Sequence, residues 1–313
     1  IVTPRNLREL AKYRAIVLPN TACLSQREAA ALQQFVADGG GLVGTYQVSA
    51  ANEWNEPYPQ PALADVFGIR VIGDTRQYSD TYFRISNRGH PITEGLYYER
   101  PITSMRPQLL VETRPGAEVL GRIVFPYIEP TPDRYVSIHN NPPGIETDRP
   151  AVVANTFGRG RAVYFSAQIG ALYATASYWE AKQLLANAVR WAAAQPAPVL
   201  VEASLCVEVT AWDQADHHRR VIHLVNVQSD IGRTVSNEST WDRGARENLH
   251  VIQEILPVHD VRVRFQAPPD KRVARVTLQP SGTELTSTQE GEWIVVVVPK
   301  IRIHEAVVAE WAE

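Results

Sequence analysis

The sequence predicts an α/β domain built on a doubly wound sheet, followed by an antiparallel β-sandwich. Three observations carry this expectation. Residues 13–46 read as strand, helix, strand; residues 178–194 form an amphipathic helix closed by Pro196-Ala197-Pro198; and the remainder alternates as short strands with no helix of length. The expected boundary divides the chain into residues 1–197 and 198–313.

Each element has a local reason. Ala15, Ile16, Val17 and Leu18 make a short run that is apolar on both faces, as a buried parallel strand is, and Pro19-Asn20 ends it. Ser25 precedes Glu28 by three residues, the spacing of a capping box. Ala29, Leu32, Phe35 and Val36 then recur at helical spacing, until Gly39-Gly40-Gly41 stops the helix. A second strand follows over residues 42–45, and this order implies a right-handed crossover between parallel strands.

Residues 47–61 form a loop rich in Asn, Glu, Pro and aromatics, before a short helix at 62–67. Residues 69–150 are less regular and predict extra strands and long loops decorating the sheet. Residues 151–156 and 161–166 flank Phe157-Gly158-Arg159-Gly160, a hairpin signal. In the helix at 178–194, Leu184, Leu185, Ala188 and Trp191 share one face. Beyond Pro198, strands are expected at 199–211, 220–227, 253–265, 273–278, 293–298 and 303–310. Pro268-Pro269-Asp270 and Pro280-Ser281-Gly282 supply turns between them.

Composition bounds the function. The 313 residues are 44% hydrophobic and 21% charged, ordinary for a soluble globular protein. With 31 basic and 34 acidic residues the net charge is -3, which argues against nucleic-acid binding. The run IVVVV at residues 294–298 is too short to span a bilayer, so no membrane insertion is expected. Two cysteines, Cys23 and Cys206, fall in different domains and make neither a disulfide framework nor a CxxC metal site. The chain begins at Ile1 with IVTP, which resembles the tail of a strand, and we expect a piece of a longer polypeptide. The compartment stays open.

The segments YRAIVLPNTACLSQREAAALQQFVADGGGLVGTY, AVVANTFGRGRAVYFS and SYWEAKQLLANAVRWAA resemble the glutamine-amidotransferase-like middle domain of certain glycoside hydrolases. They are most similar to the trimerisation domain of family 42 β-galactosidases. The resemblance covers residues 1–195 and implies a flavodoxin-like, class I glutamine-amidotransferase-like fold. It also implies a homo-oligomer, with a trimer favoured, and a catalytic TIM barrel upstream in the same polypeptide. The small β-domain of that family corresponds to residues 198–313 by order and texture. The family's barrel and its two catalytic glutamates lie outside this chain, and so do the first strand and helix of a doubly wound domain. No cofactor is implied.

The expected reactive position is the loop after residues 42–45. An amidotransferase needs a thiolate there on a sharp strand-to-helix turn, with a histidine as base. The loop instead holds Thr45, Tyr46, Gln47 and Val48, so no catalytic residue is assigned. Glu53, Trp54, Asn55, Glu56 and Tyr58 follow, beyond the C-terminal edge of a parallel strand where open α/β sheets bind ligands. Rings and carboxylates of this kind suit a sugar, but Trp and Tyr also anchor protein interfaces. Tyr46, Tyr78 and Tyr82 join these residues as ligand or interface candidates.

Two functions fit these residues: a non-catalytic accessory or oligomerisation region of a glycoside hydrolase, and a stand-alone carbohydrate-binding module using the aromatic loop at Tyr46–Tyr58. Glu53 and Glu56 as a hydrolytic carboxylate pair rank below both, since sequence spacing within a loop has no specificity. His217, His218 and His223 lack the spacing of convergent zinc ligands and read as a polar turn beside a strand, so no metal is expected. His90, His139 and His250 stand in loops without evident partners. Gly158-x-Gly160 sits between hairpin strands and reads as a turn, not a phosphate loop.

Overall fold

The computed structural model describes residues 1–76, 81–96, 99–104, 107–128, 133–134, 141–176, 178–204, 206–227 and 255–312. These fall into two compact units, Ile1–Pro196 and Ala197–Glu313.

The first unit contains β1 (Ala15–Leu18), α1 (Gln26–Ala37), β2 (Gly41–Thr45), α2 (Ala64–Phe67), β3 (Ile69–Asp74), β4 (Tyr82–Ile85) and β5 (Ile102–Thr103). Then come β6 (Leu109–Thr113), β7 (Glu118–Pro126), β8 (Pro143–Phe157), β9 (Gly160–Phe165), α3 (Ile169–Ala176) and α4 (Trp179–Ala193). Seven strands form one sheet in the order β1-β2-β9-β8-β7-β4-β5, while β3 and β6 pair as a separate ribbon. Among the described strands of this sheet, pairing is parallel between β1 and β2 and between β2 and β9. The strands from β9 to β5 are antiparallel neighbours. The region between residues 69 and 150 therefore does more than decorate the sheet: β7, β4, β5 and the first half of β8 extend it. β8 reaches back to Pro143, and register shifts along β7–β8 absorb the prolines that made this stretch look irregular.

Both faces of the parallel part are covered, and the two-residue period of a strand sorts side chains between them. Leu42, Val153, Ala162 and Tyr164 share a core with Leu32, Phe35 and Val36 of α1. Val43, Val152, Val163 and Phe165 share the other with Ala181, Leu184, Ala188 and Ala192 of α4. Burying Leu32 or Phe35 contributes about 1.5–3 kcal/mol each. Leu185 and Trp191, predicted on the buried face of α4, are only half-buried. The capping box forms as predicted: Ser25 Oγ accepts from the Glu28 amide at 3.3 Å, and the Glu28 carboxylate accepts from the Ser25 amide at 2.8 Å. Gly39 follows the helix at φ +113°, a conformation L side chains rarely adopt. The sequence did not signal α3.

The Gly158-Arg159-Gly160 turn packs against the C-terminal end of α1. A Cβ on Gly160 would lie 2.2 Å from the Val36 carbonyl oxygen and 2.3 Å from that of Gly40. The Arg159 amide donates to the Ala37 carbonyl oxygen at 3.0 Å. The second glycine is thus demanded by close approach of backbone.

The second unit contains β10 (Val199–Glu202), β11 (Val207–Gln214), β12 (Arg219–Asn226), β13 (Val258–Phe265), β14 (Val273–Gln279), β15 (Thr283–Glu284), β16 (Thr288–Glu290), β17 (Trp293–Ile301) and β18 (His304–Trp311). They form antiparallel sheets in the orders β10-β13-β17-β16 and β11-β12-β18-β14-β15. Val263, Phe265, Val296 and Val298 of the first meet Ile222, Leu224, Val276 and Val307 of the second in one core. Among the described residues, no helix is long and apolar enough to cross a membrane.

Candidate functional site

The parallel strands β1 and β2 both end at one edge of the sheet, and the chain turns sharply there. Asn20, Tyr46 and Ser49 all have positive φ, at +49°, +52° and +55°. Such values in non-glycine residues need support from their surroundings. Here the Asn20 amide donates to Thr45 Oγ1 at 2.8 Å, and the Gln47 amide to Asn20 Oδ1 at 3.3 Å. The Tyr46 amide donates to the Phe165 carbonyl oxygen, and Tyr164 Oη donates to the Tyr46 carbonyl oxygen, both at 2.8 Å. Ser49 Oγ accepts from the Leu63 amide at 3.0 Å. Tyr164 is buried, and that desolvation pushes its phenol far above the ordinary value of a tyrosine, with Tyr46 adding to the rise.

Tyr46 therefore occupies the bend after β2, buried, where a nucleophile would be carried. The Arg76 guanidinium pairs with Asp74 at 3.0 Å, and its pKa is raised first by Tyr46 and then by Asp74. Cys23, which follows the neighbouring strand, is exposed and donates to Asn55 Oδ1 at 3.5 Å.

His90 is a correction to the sequence reading, since it has clear partners. Its Nδ1 accepts from the Ile92 amide at 3.1 Å and its ring packs on Trp191 at 5.2 Å. Burial lowers its pKa, and the Arg161 charge acts in the same direction while Glu118 opposes it. Trp191 also faces Arg161 at the start of β9, the end of the sheet opposite Tyr46. At about 3.3 Å per residue, the length of β9 keeps that imidazole from the bend.

The loop over residues 47–58 folds around Asn52. Asn52 Oδ1 accepts from the Trp54 amide at 3.0 Å and the Glu56 amide at 2.9 Å, and its Nδ2 donates to Glu56 Oε2 at 2.7 Å. Glu53, Trp54, Asn55 and Glu56 form an exposed tip, with Trp54 at 79% exposure. Tyr58 is half-buried at the base and donates to the Leu24 carbonyl oxygen at 3.1 Å. Its pKa is raised by burial first, and then by the carboxylates of Glu53 and Glu28. Tyr82 lies apart on β4, four strands from β2 and so roughly 19 Å away at 4.8 Å per strand. Its hydroxyl donates to the Asn141 carbonyl oxygen at 2.9 Å. Tyr78, His139 and His250 lie outside the described residues.

Under the same edge runs a buried polar network that the sequence did not signal. Gln108 Nε2 donates to Thr81 Oγ1 at 3.1 Å and to the Tyr82 carbonyl oxygen at 3.0 Å, while Gln108 Oε1 accepts from Ser166 Oγ at 2.7 Å. Thr81 and Ser104 hydroxyls bond at 2.5 Å. Such a satisfied network rigidifies the floor beneath the loops. In the second unit, His217 and His218 sit in the β11–β12 turn, and His223 stacks on His304 with ring nitrogens 3.0 Å apart. Among the described residues, no group of three or more His, Cys, Asp or Glu could hold a metal ion.

A glutamine-amidotransferase-like α/β fold with a tyrosine at the bend after β2 is the class these features define. Residues 4–192 match the family model described as ThuA, trehalose utilisation, and the chain belongs to that family. No curated protein sequence matches. Among solved structures, α-L-fucosidase isoenzyme 2 from Paenibacillus thiaminolyticus is 22% identical with a TM-score of 0.73, covering 96% of this chain and 41% of that one. The GH42 β-galactosidase Gan42B from G. stearothermophilus is 15% identical with a TM-score of 0.57, over 97% of this chain and 32% of that one. A β-galactosidase from Bacillus circulans sp. alkalophilus is 15% identical with a TM-score of 0.56, over 96% and 33%. The chain thus spans less than half the length of these structures, and at such identities the likeness concerns the fold.

Proposed function

We propose that this chain is a non-catalytic accessory region of a glycoside hydrolase, working within a longer polypeptide that carries the catalytic domain. The observation that carries the reading is the bend after β2, where a buried, hydrogen-bonded Tyr46 stands in place of a nucleophile. Regions of an α-L-fucosidase and of β-galactosidases share both units of the fold in chain order, which supports a carbohydrate-active parent. In this proposal the first unit is flavodoxin-like scaffolding that holds subunits in a closed oligomer, a trimer by preference, as a middle domain between an upstream barrel and the β-domain. The exposed tip with Trp54 then contacts a neighbouring subunit or walls its sugar cleft.

The test is to assay the 313-residue chain for glutaminase activity and against aryl α-L-fucosides and β-galactosides. No turnover is expected, and turnover abolished by Tyr46→Phe or by Glu53→Gln would sink the proposal. Light scattering on the longer polypeptide should give a closed oligomer; a monomer at micromolar concentration would remove the oligomerisation role.

A further inference from the structure

One face of the five-stranded sheet in the second unit is not accounted for by the core between the sheets. Ile222, Leu224, Val307 and Ala309 turn inward to that core. Neighbours along a strand alternate, so the residues between them turn outward. An outward face that meets only water reads polar. Here Val221, Ala306 and Val308 are apolar and form a second, smaller cluster, each at 9% exposure or less.

The strand register shows what stands around this apolar floor. One row across the sheet runs Trp212, Val221, Val308, Thr277, and the next runs Thr210, His223, Ala306, Gln279. Trp212 is thus beside the floor on the edge strand β11, and it is 64% exposed. Neither row contains a Lys, Arg, Asp or Glu. The charges that flank the rows are engaged: Arg275 pairs with Glu310 at 2.9 Å, and Arg219 Nε donates to Gln214 Oε1 at 2.6 Å. The Thr210 and Gln279 side chains are exposed and have no hydrogen-bond partner among the described residues. His223 spends Nδ1 on His304 and keeps Nε2 for another group.

Size separates the possible occupants. From β11 to β14 the face is three strand spacings wide, about 14 Å, and residues 208–214 give it a height of about 20 Å. The product, about 300 Å², is well under the roughly 800 Å² per partner of a stable protein interface. The width suits about three linked pyranose rings. A pyranose also matches the chemistry: its C–H face packs on an aromatic ring, and its hydroxyls pair with neutral polar groups at the rim.

We propose that this face binds a neutral oligosaccharide laid across β11, β12, β18 and β14. Trp212 stacks on one ring, and Thr210, His223 and Gln279 bond to hydroxyls. The site is separate from the Trp54 loop of the first unit. It deepens the carbohydrate-active reading above by giving the second unit a ligand, and its own support is the register, exposure and chemistry of the face.

The experiment is isothermal titration calorimetry of the 313-residue chain with maltotriose, cellotriose, β-1,4-galactotriose and 2′-fucosyllactose, neutral trisaccharides that differ in stereochemistry and linkage. At least one is expected to bind with a Kd of about 0.1–1 mM, and its component monosaccharides at least about tenfold more weakly. Trp212→Ala should weaken binding at least about tenfold, whereas Trp212→Phe, which keeps a ring, should weaken it less than about threefold. Gln279→Ala should cost about threefold. All three positions of change are exposed, so circular dichroism melts should match the parent chain. Three results would overturn the proposal: no binding of any trisaccharide at about 10 mM; binding that survives Trp212→Ala but is lost with Trp54→Ala, which moves the sugar to the first unit; or self-association of the chain that Trp212→Ala abolishes, which makes the face a contact between copies. The titration needs no catalytic domain, so it can fail while the turnover and light-scattering tests of the accessory role succeed, and the reverse.

Discussion

Two connections leave the same parallel strands at opposite ends of the sheet, and they are built on opposite principles. The turn at Gly158-Arg159-Gly160, before β9, is closed by steric contact: its glycines let backbone meet backbone at the end of α1. The bend and loop after β2 are closed by polar bonds. Tyr46, Ser49 and Asn52 hold a frame of hydrogen bonds, and outside it Glu53, Trp54 and Glu56 face solvent. The difference teaches where function can reside. A sterically closed turn has no freedom to change its side chains, whereas a polar frame fixes the base of a loop and leaves its tip open to variation.

The strongest way to probe the contrast is Gly160→Ala. The added methyl would meet two backbone oxygens that cannot rotate away, so a loss of about 3 kcal/mol is expected, read as a lower urea midpoint. A change below about 0.5 kcal/mol would show that the turn is not closed by sterics.

Tyr164→Phe tests the polar side. It strands the buried Tyr46 carbonyl oxygen and should cost about 1–2 kcal/mol at neutral pH. It should also alter the alkaline limb of stability. The folded phenol titrates above its unfolded value of about 10, so its contribution is complete below pH 10 and is lost as pH rises further, by up to about 1.4 kcal/mol per pH unit. Urea melts at pH 10, 11 and 12 should fall less steeply for Tyr164→Phe than for the parent chain; parallel slopes would remove Tyr164 from this account.

Asn52→Ala removes two acceptor contacts and one donor at the exposed loop, and about 1 kcal/mol is expected, with faster amide exchange at Trp54 and Glu56. The smallest effect belongs to the tip. Trp54→Ala should leave stability within about 0.5 kcal/mol, since the ring is exposed. If the accessory role is right, the same change in the longer polypeptide should weaken its oligomer or its substrate affinity. A substitution silent in both would return Trp54 to an ordinary loop.

Much of this architecture was legible in the residues. The capping box of Ser25 and Glu28, the face of Ala29, Leu32, Phe35 and Val36, and the β1–α1–β2 order formed as expected, whereas the single strand expected over residues 199–211 is divided into β10 and β11, which belong to different sheets. The exposure of Glu53, Trp54, Asn55 and Glu56 agrees with their polar, turn-rich surroundings. Other features could not be read ahead. Residues 69–150 looked irregular because bulges and prolines interrupt the period of β7 and β8, although these strands lie inside the main sheet. Tyrosine suits an interface wherever it stands, and sheet order alone decides the distance of Tyr82 from β2. Gln108 gave no signal, since a lone glutamine looks the same whether it faces solvent or holds Ser166 and Thr81 together.

By itself the sequence determined β1, α1, β2, the turn before β9 and α4, because caps, glycine stops and hydrophobic periodicity act over a few neighbouring residues. Tertiary structure alone decided the antiparallel pairing of β8 with β7 and the buried phenol beneath the bend. Each of these depends on partners far apart along the chain: Tyr164 reaches Tyr46 across 118 residues. Local patterns specify which face of an element is apolar, but which surface covers that face is settled only when the whole chain packs.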